Sequence, residues 1–235
     1  MTRSSLIAQQ LDKIHHRIEI AALAAGRNSD DIQLLAVSKT RPVEDIRVAI
    51  DAGQHHFGEN YLQEALEKIS SIQRSQCEWH FIGPCQSNKT AAIASAFDWV
   101  HSIDRLKIAQ RLSDQRESDR VLNVCLQINI SNEASKTGIR PEQLPELAEA
   151  VLTLPQLRLR GLMALPTVES DIEKQRAVFA QLKSLFDACN SQGHQLDTLS
   201  MGMSNDMEAA IMEGATIVRI GTDIFGPRTA RQNKG

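Results

Sequence analysis

The sequence predicts an α/β fold, a single-domain (β/α)8 TIM barrel with an added N-terminal helix, formed by residues 1–235. Eight short apolar segments alternate along the chain with amphipathic segments of helical period, and such alternation is typical of parallel strands joined by helical crossovers. The length of 235 residues suits one barrel of this kind. An open doubly wound sheet is the alternative, but no Gly-x-Gly-x-x-Gly follows any predicted strand.

The first predicted element is an amphipathic helix over residues 4–25. Its apolar residues recur every three or four positions from Ile7 to Ala22, and Gly26 ends the pattern. Because this helix precedes the first strand, it is an addition to the minimal barrel. Few residues remain after the eighth strand for a full helix, so we expect the N-terminal helix to pack over the neighbouring gap in the helical ring.

The strands and the remaining helices follow from apolar runs, capping residues and turn residues. The predicted strands are 34–39, 55–60, 79–82, 99–103, 121–130, 159–164, 196–200 and 216–220. The predicted helices with defined ranges are 42–53, 60–73, 171–190 and 205–213, and Asn60 is the predicted cap of the second. Three further helices are predicted between them. One is opened by 86–89 and continues through Phe97, one is capped by Asp104 and continues through Leu112, and one runs from Pro141 through Val151.

Composition and charge exclude several classes of protein. The net charge is −3 without a block of like charges, so the sequence carries no footprint for nucleic acid or for an anionic membrane. Any bound anion must therefore be held locally. No stretch is long enough and apolar enough to span a bilayer. The cysteines are far apart and lack metal-ligand spacing, which indicates reduced thiols in a cytoplasmic protein: Cys77, Cys85, Cys125 and Cys189.

Lys39 lies at the carboxyl end of the first predicted strand. Barrels of this type build their active sites at that end, and a partly desolvated lysine there has a lowered pKa and becomes a nucleophile. Strand ends carry lysines for many other reasons, however. Taken alone, Lys39 is more typical of a strand that simply reaches the surface.

Two later loops carry the parts of a phosphate site. Ser204 lies at the start of the helix after strand seven, and Gly221 and Thr222 follow strand eight, where barrels commonly hold phosphate. Each part alone is equally a helix cap or a turn glycine. Arg219 shares the strand face of Gly221, so it is either a donor to a ring nitrogen or a member of a buried ion pair. With Lys39, the set suits pyridoxal 5′-phosphate held through a Schiff base, and it also suits a lysine aldolase acting on a phosphosugar.

Seven ordered motifs carry a resemblance that extends over nearly the whole chain. They are Ala36-Val37-Ser38-Lys39-Thr40, Phe57-Gly58-Glu59-Asn60-Tyr61, Trp79-His80-Phe81-Ile82-Gly83-Pro84 with Gln86 and Asn88-Lys89, Ser135-Lys136-Thr137-Gly138, Arg160-Gly161-Leu162-Met163, Ser200-Met201-Gly202-Met203-Ser204 and Arg219-Ile220-Gly221-Thr222. On these motifs the sequence resembles the pyridoxal phosphate homeostasis proteins, single-domain relatives of the amino-terminal barrel of bacterial alanine racemase.

The resemblance implies a role for each candidate site residue. Lys39 would carry the cofactor as an internal aldimine, Asn60 would lie by the ring, Arg219 would face the pyridine nitrogen, and Ser204, Gly221 and Thr222 would hold the phosphate. The implied function is to keep free pyridoxal phosphate low while supplying dependent enzymes, without a metabolic reaction. The expected partners are the cofactor and pyridoxal phosphate-dependent apo-enzymes, and Lys136 and Lys89 are the next candidates for attachment.

Two other functions remain open at this point. One is an amino-acid racemase or decarboxylase. A two-base racemase needs an acid–base group on each face of the ring, and alanine racemases take one, a tyrosine, from a second domain of the partner subunit. That domain is not in this sequence, which also leads us to expect a monomer, and the single tyrosine, Tyr61, begins a helix. The other function is a barrel that serves purely as a protein-interaction module.

Overall fold

The computed structural model describes residues 2–117, 119–131 and 137–227. Eight parallel strands form a closed barrel in chain order, with β8 paired to β1, which confirms the predicted fold. The strands are β1 Gln33–Val37, β2 His56–Glu59, β3 Glu78–Phe81, β4 Trp99–Ile103, β5 Leu122–Ile128, β6 Leu157–Ala164, β7 Thr198–Ser200 and β8 Ile217–Ile220.

Helices connect the strands and surround the barrel. They are α1 Arg3–Ala24, α2 Val43–Asp51, α3 Leu62–Ser71, α4 Thr90–Ala96, α5 Leu106–Asp114, α6 Leu144–Leu152, α7 Ile172–Ser191, α8 Met207–Met212 and α9 Thr222–Phe225. Within the described part of the chain, no helix has the length and apolar character needed to cross a membrane.

The N-terminal helix completes the helical ring, as its position in the sequence predicts. After β8 the described chain forms only the four-residue helix α9, and α1 packs against α2, α8 and α9. The buried face of α1 contains Ile7, Leu11, Ile14 and Ile18. Burial of this apolar face is the favourable term that holds α1 against the barrel.

The barrel interior is partly polar, whereas the layer between strands and helices is apolar. Arg219 on β8 donates a hydrogen bond from NH1 to Ser200 Oγ on β7, at 2.8 Å. The Nδ1 atom of His101 lies 2.8 Å from the same oxygen, and the Nε2 atom of His101 lies 2.9 Å from Nδ1 of His80. All four residues are buried. A continuous hydrogen-bonded series therefore crosses the barrel from β8 to β3.

Two predicted helix caps are wrong. Asn60 lies in the loop before α3, which begins at Leu62 after Tyr61. Asp104 lies before α5, and Arg105 occupies the cap position. The physical reason is shared, since a parallel barrel needs a residue or two to turn each strand into its helix. The polar residue directly after a strand is thereby left at the mouth of the barrel.

Candidate functional site

A cavity of about 290 Å³ opens at the carboxyl ends of the strands, and all six predicted site residues line it. These residues are Lys39, Asn60, Ser204, Arg219, Gly221 and Thr222. Apolar side chains complete the wall, among them Val37, Ile82, Met163 and Leu165. The volume is close to the lower end of the roughly 300–1,000 Å³ range of small-molecule sites. The roles of the six residues in binding remain predictions.

Lys39 lies in a turn two residues beyond β1, and two buried side chains on neighbouring elements hold that turn. Ser38 donates a hydrogen bond from Oγ to Glu59 Oε1 at 2.6 Å. Lys68 donates from Nζ to the Ser38 carbonyl oxygen at 2.8 Å and to Glu59 Oε1 at 2.7 Å. The backbone next to Lys39 is therefore fixed from the inner side of the loop.

The same network continues past Lys39. Lys68 also contacts Glu64 Oε1 at 2.6 Å, and that carboxylate accepts the backbone N–H of Thr40. Thr40 has a φ of +65°, in the left-handed region that non-glycine residues rarely adopt. Burial raises the pKa of Glu59, and the charge of Lys68 only partly offsets this effect. The charged cluster thus stabilises an unusual turn that carries Lys39.

Sequence analysis did not identify this network. The pair Glu64 and Lys68 has the four-residue spacing of any surface pair on a helix. Glu59 could have indicated the network, because it is a charged residue inside a short buried strand and a buried carboxylate requires a partner.

Arg219 is 4% exposed and spans the floor of the cavity. Besides its bond to Ser200, it donates from NH2 to the carbonyl oxygen of Ala164 at 2.8 Å. Both acceptors are neutral, and among the described residues no carboxylate lies within ion-pair distance of Arg219, so the structure does not support the ion-pair alternative. Burial lowers the pKa of Arg219 to about 10. The guanidinium is therefore still charged at neutral pH, and it acts only as a donor.

The two loops predicted to hold phosphate meet at one side of the cavity. Ser204 lies in the turn before α8, and Asp206 rather than Ser204 occupies the cap position of that helix. Gly221 directly precedes α9, and a Cβ atom there would lie 3.1 Å from the carbonyl oxygen of Val37. A larger residue would crowd β1. Glycine thus lets the loop after β8 approach the first strand.

Arg17 on α1 joins the loop after β7 to the first turns of α8 and α9, and it was not predicted from the sequence. Its NH2 group donates to the Ser204 carbonyl oxygen at 3.0 Å, and its NH1 group donates to Asp223 at 3.0 Å. Its Nε atom donates to Glu208 at 2.9 Å. One guanidinium thereby fixes the loop after β7, the start of α8 and the start of α9. Arg17 supports the cavity wall without lining the cavity.

The chemistry of the cavity suits a flat heteroaromatic ligand with an anionic group. The Oδ1 atom of Asn60 is buried and has no hydrogen-bond partner among the described residues. Such an atom is costly unless a ligand or water satisfies it. The cationic donor Arg219 and the amine-bearing Lys39 lie in the same cavity. The residues present therefore offer an amine, an unpartnered amide oxygen and a charged donor in one cavity.

Acid–base groups other than Lys39 are few in the cavity. Within the described part of the chain, the lining includes no tyrosine, histidine or cysteine, and its carboxylates are Glu169 and Asp206. Tyr61 is 52% exposed and does not line the cavity. Lys89 is exposed in the cap position of α4, also away from the cavity. Lys136 lies outside the described residues.

Comparison with known proteins gives consistent relationships. The chain matches the family model described as alanine racemase, N-terminal domain, over residues 9–229. The pyridoxal phosphate homeostasis protein of Pseudomonas aeruginosa is 58% identical over 225 residues, which cover 95% of this chain and 96% of that protein. The protein of the same name from Escherichia coli K12 is 54% identical over 226 residues, with 94% and 97% covered. The structure of PipY from Synechococcus elongatus with pyridoxal phosphate bound aligns with a TM-score of 0.78 and 35% identity, covering 94% of this chain and all of that one (100%).

Proposed function

Because the chain belongs to the pyridoxal phosphate homeostasis protein family, we propose that it binds pyridoxal 5′-phosphate in the 290 Å³ cavity. In that role it keeps the free cofactor low and supplies it to dependent enzymes. The observation that carries the proposal is the convergence of the six predicted residues on one cavity. When bound, the cofactor supplies an aldehyde able to form a covalent link with an amine, together with an electron-withdrawing ring.

Each residue has a proposed part in holding the cofactor. Lys39 provides the amine for the covalent link. Arg219 remains protonated and presents a donor to the ring nitrogen, because its pKa of about 10 lies well above neutral pH. The side chains of Ser204 and Thr222 donate to the phosphate, and the backbone at Gly221 leaves room for it. Asn60 hydrogen-bonds the polar edge of the ring.

We propose that the protein has no metabolic reaction of its own. The support is the composition of the cavity wall, in which Lys39 is accompanied by carboxylates but, among the described residues, by no tyrosine, histidine or cysteine. Asp206 accepts the backbone N–H of Met203, and Glu169 accepts those of Ser170 and Asp171. Both carboxylates thus serve the backbone of their own loops. An amino-acid racemase or decarboxylase is the competing function.

The protein is further proposed to act as a single domain over residues 1–235, as a monomer in the cytoplasm, and to deliver its cofactor to pyridoxal phosphate-dependent apo-enzymes. All six of the predicted cavity residues come from one chain. The sedimentation coefficient of the holo-protein tests whether it is a monomer.

The covalent link gives the direct test of the binding site. We expect the parent protein, incubated with pyridoxal phosphate and reduced with borohydride, to gain one adduct by intact mass and to lose its visible absorbance. Lys39→Ala should gain none and remain folded, because Lys39 is only half-buried in a loop. Lys89→Ala, which removes an exposed lysine outside the cavity, is the matched control and should behave as the parent.

Two results would contradict this function. A full adduct on Lys39→Ala would move the attachment to another lysine. A parent protein without visible absorbance at saturating cofactor would favour the protein-interaction module.

A further inference from the structure

A second polar cluster lies at the opposite, amino-terminal end of the barrel. His56 begins β2, Glu78 begins β3, and His80 lies two residues further along β3. His56 and Glu78 are direct partners in the parallel register. Because alternate residues of a strand share a face, all three side chains lie on the same side of the sheet. One ligand atom from each residue falls within 4.8 Å of the other two.

The distances within this cluster are close to those of a metal site. Nδ1 of His56 lies 3.3 Å from Oε2 of Glu78, and Nε2 of His80 lies 3.9 Å from the same oxygen. A tetrahedral ion with ligands at about 2.0–2.1 Å separates its ligand atoms by about 3.3 Å. The separation between His56 and Glu78 therefore matches the tetrahedral value, the separation between His80 and Glu78 exceeds it by about 0.6 Å, and the third separation is at most 4.8 Å.

One of the three ligand atoms lacks a hydrogen-bond partner. His80 is fully buried, and its Nε2 atom has no hydrogen-bond partner among the described residues, whereas Nδ1 of His56 lies beside Glu78. Buried polar atoms are almost always paired, and an unpaired one points to a water or an ion.

From this geometry we propose that His56, Glu78 and His80 bind a first-row divalent transition-metal ion of the Zn²⁺ type, with solvent in the remaining coordination position. Two imidazoles and one carboxylate suit Zn²⁺ and its neighbours, whereas Mg²⁺ and Ca²⁺ favour oxygen ligands alone. The site is separate from the cofactor cavity, which lies at the other end of the barrel and shares none of these residues.

The surroundings of His80 support a metal-binding tautomer. Metal-bound histidines usually donate their second N–H to a fixed acceptor. If Nε2 of His80 binds the ion, its Nδ1 carries the proton and donates to Nε2 of His101 at 2.9 Å. His101 then donates from Nδ1 to Ser200 Oγ, whose second lone pair accepts from Arg219.

Solvent can reach the cluster. The side chains of His56 and Glu78 are 33% and 50% exposed, and both line an open cavity of about 590 Å³ at this end of the barrel. The nearby cation Arg160 is paired with Asp197 at 2.8 Å and lies over the Trp99 ring at 4.7 Å. Asp197 therefore offsets part of the charge of Arg160, which also interacts with Glu78.

Equilibrium dialysis of the tag-free, full-length protein against Zn²⁺, followed by metal analysis, tests the site. We expect about one equivalent of zinc on the parent. Either His56→Ala or Glu78→Gln should weaken binding by more than the roughly 10–100-fold that loss of an outer-shell partner costs. His16→Ala is the matched control, because His16 pairs with Glu19 on the exposed face of α1 without a third ligand. It should bind as the parent does.

A second measurement keeps the test independent of the cofactor and of folding. Zinc should raise the thermal midpoint of the parent and of Lys39→Ala equally, since a ligand that binds only the native state stabilises it. His56→Ala should show no such rise. Because the His56 side chain is partly exposed, we expect this variant to fold as the parent does. A parent that retains no more zinc than His56→Ala, or equal zinc on all variants, would overturn the proposal.

Discussion

Lys68 and Glu59 hold the backbone beside Lys39, although neither lines the cavity. They are 5% and 0% exposed, and they join α3 and β2 to the turn after β1. An ion pair with so little solvent contact depends on both partners, because a single charge left in that place is strongly unfavourable. The backbone that carries Lys39 is thus held by residues that do not line the cavity.

Removal of Lys68 should destabilise the protein in a pH-dependent way. Lys68→Met leaves Glu59 buried without its cation, which we expect to cost about 3–5 kcal/mol in the free energy of unfolding at alkaline pH. The pKa of Glu59 is already raised by burial, and it rises further in the variant. An acid with a raised folded-state pKa loses native stability as pH increases from its unfolded pKa to its folded pKa. The cost should therefore shrink towards pH 4.5, the ordinary glutamate value.

Urea unfolding between pH 4.5 and pH 8 measures this effect. Lys174→Met, at a side chain that is 68% exposed, serves as the control and should change little. A pH-independent cost for Lys68→Met would show that Glu59 is not the responsible group.

Ser204 and Thr222 should contribute measurably to cofactor affinity. A hydrogen bond to a charged group is worth about 1.5–3 kcal/mol, so Ser204→Ala combined with Thr222→Ala should weaken pyridoxal phosphate binding at least about tenfold with Lys39 intact. Fluorescence or absorbance titration measures the affinity. Ser184→Ala, on α7 away from the cavity, is the control. Equal affinity of the double variant and the parent would exclude the proposed phosphate contacts.

At the scale of elements, α1 both closes the helical ring and fixes the cavity. Its apolar face packs on α8 and α9, and Arg17 bonds to the loop before α8 and to the first turns of α8 and α9. The first contribution is to stability and the second is to the shape of the site. A substitution of Arg17 tests the second while the apolar face remains in place.

Arg17→Met should accelerate cofactor loss with a smaller effect on folding. The variant retains the apolar stem of the side chain but loses the bonds to Ser204, Glu208 and Asp223. We expect faster transfer of pyridoxal phosphate from the loaded variant to an acceptor in excess. Arg47→Met, which removes an exposed arginine on α2, is the control. An unchanged release rate would mean that the loops hold their geometry without α1.

The strands and helices were predictable from the sequence because each has its own hydrophobic periodicity. Their exact ends were not, because these depend on pairing with neighbouring strands. Trp99–Ile103 matches its prediction, whereas β6 begins at Leu157, two residues early, because Leu157 pairs with Leu122. Lys39 and Arg219 were predictable because strand ends identify them. Arg17 was not, since its partner Ser204 lies 187 positions away. His56 and Glu78 become neighbours only through the register of two strands.

At the scale of the whole molecule, the barrel provides a cavity whose described lining contains few acid–base groups. We expect the holo-protein to exchange the Cα hydrogen of amino acids with solvent far below ordinary enzyme rates. One positioned acid–base residue usually contributes about 10²–10⁴-fold, and among the described residues the cavity wall offers no tyrosine, histidine or cysteine for that part.

Deuterium incorporation at Cα across a panel of amino acids, with chiral product analysis, checks this expectation. The rate measured with Lys39→Ala serves as the background rate of exchange. Turnover on the order of 1 s⁻¹ or faster that disappears in Lys39→Ala would make the protein an enzyme.

The hydrogen bond between Arg17 and Ser204 also limits how early the cavity can form during protein synthesis. The two residues are separated by 187 positions, and β8 must pair with β1 before Arg219 and Gly221 reach the cavity. Lys39 therefore leaves the ribosome long before Ser204, Arg219 and Gly221, which complete the cavity around it. The nascent chain passes through most of its translation with Lys39 present but without the loops after β7 and β8. At the proposed site, cofactor loading would consequently be a late event, which follows the emergence of the last strand from the ribosome.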